Sequence, residues 1–272
     1  WFITGTSSGF GRRMTEKLLA RGDTVAATAR KADFLDDLKP AFGDRLWTAC
    51  LDVTDTSAIT DVMQNAFAAF ERIDVIVSNA GYGLFGAAEE LASEQIRRQI
   101  DTNLLGSIEV IRAAIPHLRA QGGGRILQVS SEGGQYAYPG YGLYHATKFG
   151  IEGFVDAVAE ETAPFGIRFT LAEPGPTRTN FGNSRVSAAP MSAYEETPVG
   201  ELRTRMTAGR FSAKMGDPDK VTQAMIDAMD RETPPRRITL GSTAYEHIET
   251  ALADKLAALR AQKELAYSVD AE

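Results

Sequence analysis

Between Trp1 and Ala172 the chain alternates six times between a short apolar run and helical pattern. The runs are Trp1–Thr4, Thr24–Ala29, Leu46–Leu51, Ile73–Val77, Arg125–Val129 and Ile167–Ala172. Met14, Leu18 and Leu19 follow the first at helical spacing, and Ile59 to Phe70 follow the third. Strands that alternate with helices build parallel sheets, because each crossover returns the chain over one face. With a further run at Ile238–Leu240, the pattern predicts one α/β domain spanning residues 1–272. Its centre is a doubly wound parallel sheet of about seven strands with helices on both faces. Only Asn180–Met215 breaks the rhythm. Long connections in compact domains serve as lids or binding segments, so a substrate lid is expected near 181–215.

In open parallel sheets, ligands gather beyond the carboxyl ends of the strands. The first strand opens into Thr4-Gly5-Thr6-Ser7-Ser8-Gly9-Phe10-Gly11 and then a helix. Strand, glycine turn and helix in that order make an anion cradle: the glycines let backbone approach a phosphate, and the helix start offers unpaired N–H groups. Gly5, Ser7, Ser8, Gly9, Phe10 and Gly11 are therefore candidate cofactor contacts, although such a loop alone is also consistent with a plain turn. The second strand ends at Ala29-Arg30. An acidic residue there would bind a ribose 2′-hydroxyl, whereas arginine suits a 2′-phosphate, so Arg30 favours NADP(H) over NAD(H). Asp52 and Val53 close the third strand, and Asn79, Ala80 and Gly81 the fourth.

Composition narrows the partners. Net charge is 29 − 36 = −7 and the pI is about 5.2, which argues against a nucleic-acid or anionic-membrane surface. No apolar run approaches the ~20 residues of a membrane span and no signal-peptide pattern is present, so a cytoplasmic protein is expected. No metal site is predicted. Cys50 lies in an apolar run and is expected to be a small buried hydrophobe. A chain that opens at Trp1 inside a strand implies further native residues ahead of it.

Tyr144-His145-Ala146-Thr147-Lys148 places a phenol and an ammonium four residues apart, on one face of the helix that Phe149, Ile151, Phe154, Val155 and Val158 define. A nearby cation favours phenolate and brings tyrosine toward acid–base work at neutral pH. Alone, the spacing is weak evidence.

Taken together, residues 1–180 resemble the short-chain dehydrogenase/reductase family. Thr4-Gly5-x-x-x-Gly9-x-Gly11 is similar to its cofactor loop and Asn79-Ala80-Gly81 to its strand-end motif. Asn103, Ser131, Tyr144 and Lys148 match its catalytic tetrad, with Ser131 13 residues before the tyrosine. Pro174-Gly175 with Thr177 and Thr179 resembles the segment beside the nicotinamide amide. The departures are Ser78 before Asn79, and Ser8 where some NADP-binding members carry a basic residue.

The resemblance implies a Rossmann-type fold and a hydride transfer between NADP(H) and a ketone, aldehyde or secondary alcohol, in the branch of steroid- and retinol-type dehydrogenases. Tyr144 would move the proton. Lys148 would lower its pKa and hold the nicotinamide ribose, Ser131 would hold the substrate oxygen, and Asn103 would anchor a relay water. Both Tyr144 and Lys148 would thus also touch cofactor. A homodimer or homotetramer is implied. Tyr82, Phe85, Glu132 and Tyr138 are expected to line the pocket, while His145 is given no catalytic role. The alternatives are NAD-dependent alcohol oxidation and an NADP sensor without turnover; a sensor has no need of the tetrad.

Overall fold

The computed structural model describes residues 1–31, 33–182, 184–208 and 214–271. Nine strands are formed among the described residues: β1 (Phe2–Thr4), β2 (Val25–Ala29), β3 (Leu46–Cys50), β4 (Val75–Ser78), β5 (Leu84–Phe85), β6 (Gly124–Val129), β7 (Ile167–Pro174), β8 (Val186–Ser187) and β9 (Arg237–Leu240). Ten helices accompany them among the described residues: α1 (Gly9–Arg21), α2 (Lys39–Phe42), α3 (Thr56–Phe70), α4 (Ser93–Ile100), α5 (Gly106–Ala120), α6 (Gly142–Thr162), α7 (Pro198–Thr207), α8 (Pro218–Asp230), α9 (Ser242–Ala261) and α10 (Lys263–Ser268).

Seven strands make one parallel sheet in the order β3-β2-β1-β4-β6-β7-β9, as the alternating pattern requires. Side chains alternate across it. Phe2, Ile76 and Ile126 enter the core under α3, α5 and α6, whereas Ile3, Val77 and Leu127 enter the core under α1 and α8. Both faces are covered, so the central strands are apolar on both sides. Each fully buried Leu, Ile or Phe there contributes about 1.5–3 kcal/mol. The chain winds outward from β1 to β3 and then returns to β4, so the order reverses between β1 and β4. A crevice at the carboxyl ends of those two strands follows from that reversal.

Local chemistry fixes the helix ends. Gly22, at φ 108°, closes α1 and returns its N–H to Leu18 O and Leu19 O. Asp55 caps α3 by accepting from Ala58 N.

One expectation changes. Cys50 is exposed, because β3 is the edge strand and its last residue has no neighbour beyond it. Between α4 and α5 the chain continues through a π-turn, Asp101–Leu105. The expected lid has regular structure, since β8 pairs with β5 and α7 follows; residues 183 and 209–213 of that segment lie outside the described residues. At the C-terminal end α10 runs as far as Ser268. No helix among the described residues is long and apolar enough to cross a membrane.

Candidate active site

Thr4 holds the crevice in shape. Its Oγ1 accepts from Asn79 N at 3.0 Å and Ala80 N at 3.1 Å, while Asn79 Nδ2 donates to Thr4 O at 2.8 Å and Gly5 O at 3.2 Å. The glycine loop and the Asn79-Ala80-Gly81 turn are therefore latched together. Two glycines are required by this closeness: a Cβ on Gly5 would lie 2.9 Å from Ala80 Cα, and one on Gly11 would lie 2.4 Å from Gly5 O. Gly9 differs, with φ 59° and open space where its Cβ would be. Ser8 is extended and puts no side chain on the first amides of α1. An open glycine at an uncapped helix start leaves N–H groups available to an anion.

Around this loop stand the other predicted contacts. Arg30 is exposed directly after β2. Burial raises the Tyr82 phenol, and the charges of Arg98 and Arg30 oppose that rise. Asp52 is exposed and its Oδ1 accepts from Thr54 N and Thr54 Oγ1. Val53 is buried, and its carbonyl packs where a Cβ on Gly106 would fall. Gly175 N donates to Leu240 O, Thr177 Oγ1 to Gly175 O, and Thr179 N to Thr177 O, which folds this turn back on itself beyond β7.

Ser131, Tyr144 and Lys148 come together beyond the end of β6, and Asn103 lies against the segment that follows β4. Asn103 is buried in the π-turn, where both ends of its amide engage Tyr82: Oδ1 accepts from Tyr82 N at 3.0 Å and Nδ2 donates to Tyr82 O at 2.9 Å. The main-chain carbonyl of Asn103 accepts from Ser107 Oγ at 3.0 Å. Tyr144 and Lys148 are buried one turn apart on α6, with Nζ 5.7 Å from the centre of the phenol ring and donating to Val129 O at 2.9 Å. Burial brings the Lys148 ammonium down to about 8, and Glu152 works against that fall.

Within the chain alone, the phenol moves opposite to the expected direction. Burial raises the Tyr144 pKa, Ser131 partly lowers it through a side-chain hydrogen bond, and Tyr141 and Glu132 add to the rise. The ammonium lies over the ring and gives its hydrogen bond to Val129, so loss of water outweighs its attraction for a phenolate.

Of the expected pocket residues, Tyr82 is half-buried beside Asn103. Phe85 is buried as a floor under Gly140 and Tyr141. Tyr138 packs on His145, with ring centres 4.5 Å apart. Glu132 is drawn away from a pocket role, because its buried carboxylate meets His247 Nδ1 at 3.1 Å. His145 faces away from the phenol–ammonium pair: Nδ1 sits 3.0 Å from Gly133 O, and Nε2 accepts from Tyr138 N at 3.2 Å. Those partners fix a neutral tautomer and pin the loop after Ser131. Phe181, the first residue of the expected lid, stands edge-on to Tyr144 with ring centres 5.8 Å apart. A cavity of about 470 Å³ opens beside this loop, lined by Ala87, Tyr138, Gly140, His145, Tyr194 and Val199.

Several residues of the site escaped the sequence reading. Thr4 was read as the start of the cofactor-loop motif, without its latch to Asn79 and Ala80. Glu152, one turn beyond Lys148, was open to the same four-residue spacing rule. Arg237, which binds Glu152 and Glu173, is 85 and 64 residues away from them in sequence and carries no local signal.

A doubly wound sheet with a glycine cradle at its switch point and a tyrosine–lysine pair one strand further on defines a class of dinucleotide-dependent oxidoreductases. Residues 1–189 match the short chain dehydrogenase family, and the chain belongs to that family. Among its relatives, the oxidoreductase BOA17 of Botryotinia fuckeliana is 36% identical over 248 residues, covering 91% of this chain and 90% of the relative. A short-chain dehydrogenase from Streptomyces avermitilis has the same fold at a TM-score of 0.91 and 37% identity, with 99% of each chain covered. An alcohol dehydrogenase from Thermococcus sibiricus, solved with 5-hydroxy-NADP, superposes at a TM-score of 0.72 with 26% identity over 89% of this chain and 96% of that one.

Proposed function

We propose that this oxidoreductase uses NADPH to reduce a ketone or aldehyde, and in reverse oxidises a secondary alcohol. The observation that carries the reading is the convergence of Ser131, Tyr144 and Lys148, all buried, at the mouth of the switch-point crevice. The chain fits a dinucleotide. Gly9 and the uncapped start of α1 suit a pyrophosphate, and exposed Arg30 suits a 2′-phosphate. Asp52, Val53 and Asn79-Ala80-Gly81 would flank the adenosine half, while Pro174, Gly175, Thr177 and Thr179 would flank the nicotinamide. When bound, the nicotinamide supplies or accepts the hydride.

The side chains supply the rest. Ser131 donates toward the carbonyl oxygen as negative charge grows there. Tyr144, kept protonated by burial, delivers its proton to that oxygen. Burial keeps the phenol protonated but makes it a weaker acid, so proton delivery depends on positive charge that stabilises the phenolate. Lys148, charged at neutral pH, stabilises the phenolate left behind and offers its ammonium to the ribose hydroxyls. Asn103 acts through its carbonyl: its amide is committed to Tyr82, so a water relaying protons to Lys148 meets the π-turn main chain. Tyr141, Phe181 and Phe85 give the pocket an aromatic wall and floor, which favours an apolar or aromatic substrate body.

The test is loss of NADPH absorbance across a panel of aliphatic, aromatic and steroidal carbonyls. Turnover on the aromatic or other bulky members is expected. Tight NADPH binding without turnover on any member would refute the reading and make the chain a cofactor sensor.

A further inference from the structure

Behind the tetrad lies a buried ionic cluster to which the proposed chemistry assigns no task. Its centre is Glu152, on α6 one turn after Lys148 and 2% exposed. One carboxylate oxygen accepts from Ser130 Oγ; the other accepts from Gln135 Nε2 and, at 2.5 Å, from Arg237 Nη1. Arg237, on β9, also reaches Glu173 Oε1 at 2.8 Å and Asp156 Oδ2 at 2.5 Å. Glu173 is equally buried and takes a second bond from Thr239 Oγ1 at 3.0 Å.

These contacts surround Ser131. Ser130 precedes it and Gln135 closes the turn after it, so Glu152 grips the segment on both sides. The turn is pressed against the carboxylate so closely that a Cβ on Gly134 would fall 1.8 Å from Glu152 Oε1. Lys148 Nζ holds the same segment one residue earlier, at Val129 O. Lys148 and Glu152, successive on one helix face, thus anchor adjacent residues of the strand end that carries Ser131. Arg237 extends the clamp to Glu173, the residue before the Pro174-Gly175 turn.

We propose that Glu152, held by Arg237, is a positioning residue of this active site: it fixes Ser131 through Ser130 and Gln135, one helical turn beyond Lys148 on the same face of α6. The inference rests on the tetrad reading above. The placement explains why two carboxylates are buried here at all. A buried anion is costly unless paired and hydrogen-bonded, and three donors plus the Arg237 guanidinium satisfy these two. The groups facing Lys148 are the Tyr144 ring and Glu152 from α6 and the Val129 carbonyl from β6. Those facing Glu152 are Arg237 from β9, Glu173 from β7, and Ser130 and Gln135 from the turn after β6. Removing the Glu152 charge removes an anion that opposes the effect of burial on the ammonium.

The experiment compares Glu152→Gln, Ser130→Ala and Tyr144→Phe with the unmodified chain. Each is measured for NADPH-dependent kcat against pH, and the Lys148 side chain is titrated by NMR in the cofactor-free protein. In Glu152→Gln the ammonium should titrate about half a unit or more below its native value, with the alkaline limb of kcat moving the same way. Ser130→Ala removes one hydroxyl and keeps the anion, so it guards against a Glu152→Gln chain that fails to fold. It should lower kcat about fivefold to tenfold with the Lys148 titration unmoved. Native kcat in Ser130→Ala, or an unshifted Lys148 in folded Glu152→Gln, overturns the inference. If Tyr144→Phe keeps native turnover, the tetrad reading itself fails; if it is inactive while the other variants behave natively, only the positioning role fails.

Discussion

Thr4→Val would test whether the crevice is held by one hydroxyl. Valine keeps the shape and β-branching of threonine, so the 1%-exposed site neither gains a cavity nor becomes crowded. What disappears is the acceptor for Asn79 N and Ala80 N. Each orphaned buried donor costs about 1–3 kcal/mol, and because these two amides are half-buried the low end applies, giving about 2 kcal/mol together. For a chain of this size that corresponds to a Tm lower by about 4–6 °C. The same loss loosens the turn that flanks the cofactor, and NADPH binding should weaken about tenfold, equivalent to about 1.4 kcal/mol. Thr28→Val is the control: Thr28 is equally buried, but its hydroxyl donates to Ile3 O, 3.3 Å away. Thermal unfolding and fluorescence titration with NADPH read both effects. If the two valine variants melt together, within about 1 °C of the native chain, the latch carries no load and the reasoning is wrong.

Arg30→Ala should weaken NADPH binding by about tenfold to a hundredfold, the value of a charge-assisted phosphate contact, while leaving NADH affinity nearly unchanged. Equal losses in paired titrations would remove the 2′-phosphate argument. His145 predicts a pH dependence of stability. Its pKa is depressed from 6.5, first by burial, so the unfolded chain binds its proton more readily than the folded one. Stability from this group is complete above pH 6.5 and falls as pH drops from there through the folded-state pKa. The Tm of the native chain should therefore decline more steeply between about pH 7 and pH 5 than that of His145→Gln. Parallel declines would show that the imidazole is not held neutral.

The sheet was legible because its signal is repeated: every central strand is an apolar run, and most crossovers have helical periodicity, the β2–β3 connection with its four-residue α2 excepted. Strand ends were legible for the same reason, since topology places them together whatever the side chains do. Burial at the sheet margin was not. Cys50 reads like its neighbours in an apolar run, but only the order of strands tells that β3 is the edge. The π-turn was also hidden, because an extra residue in one helical turn leaves no compositional mark and shows itself through which carbonyls are freed. Charge placement was least legible. Arg237 and Glu173 meet only because β7 and β9 pair in register, with Glu173 opposite Thr239. The direction of the Tyr144 shift likewise depends on how much water burial removes, which spacing on a helix cannot reveal.

Tyr144→Phe, assayed with NADPH and any carbonyl that the native chain turns over, tests the central claim most directly. The substitution removes one oxygen and leaves the ring against Phe181 and Tyr141. The account predicts that kcat falls by about a hundredfold or more, the usual contribution of a positioned acid, while NADPH binds as tightly as before. Native kcat in that variant, with the cofactor bound, would contradict it.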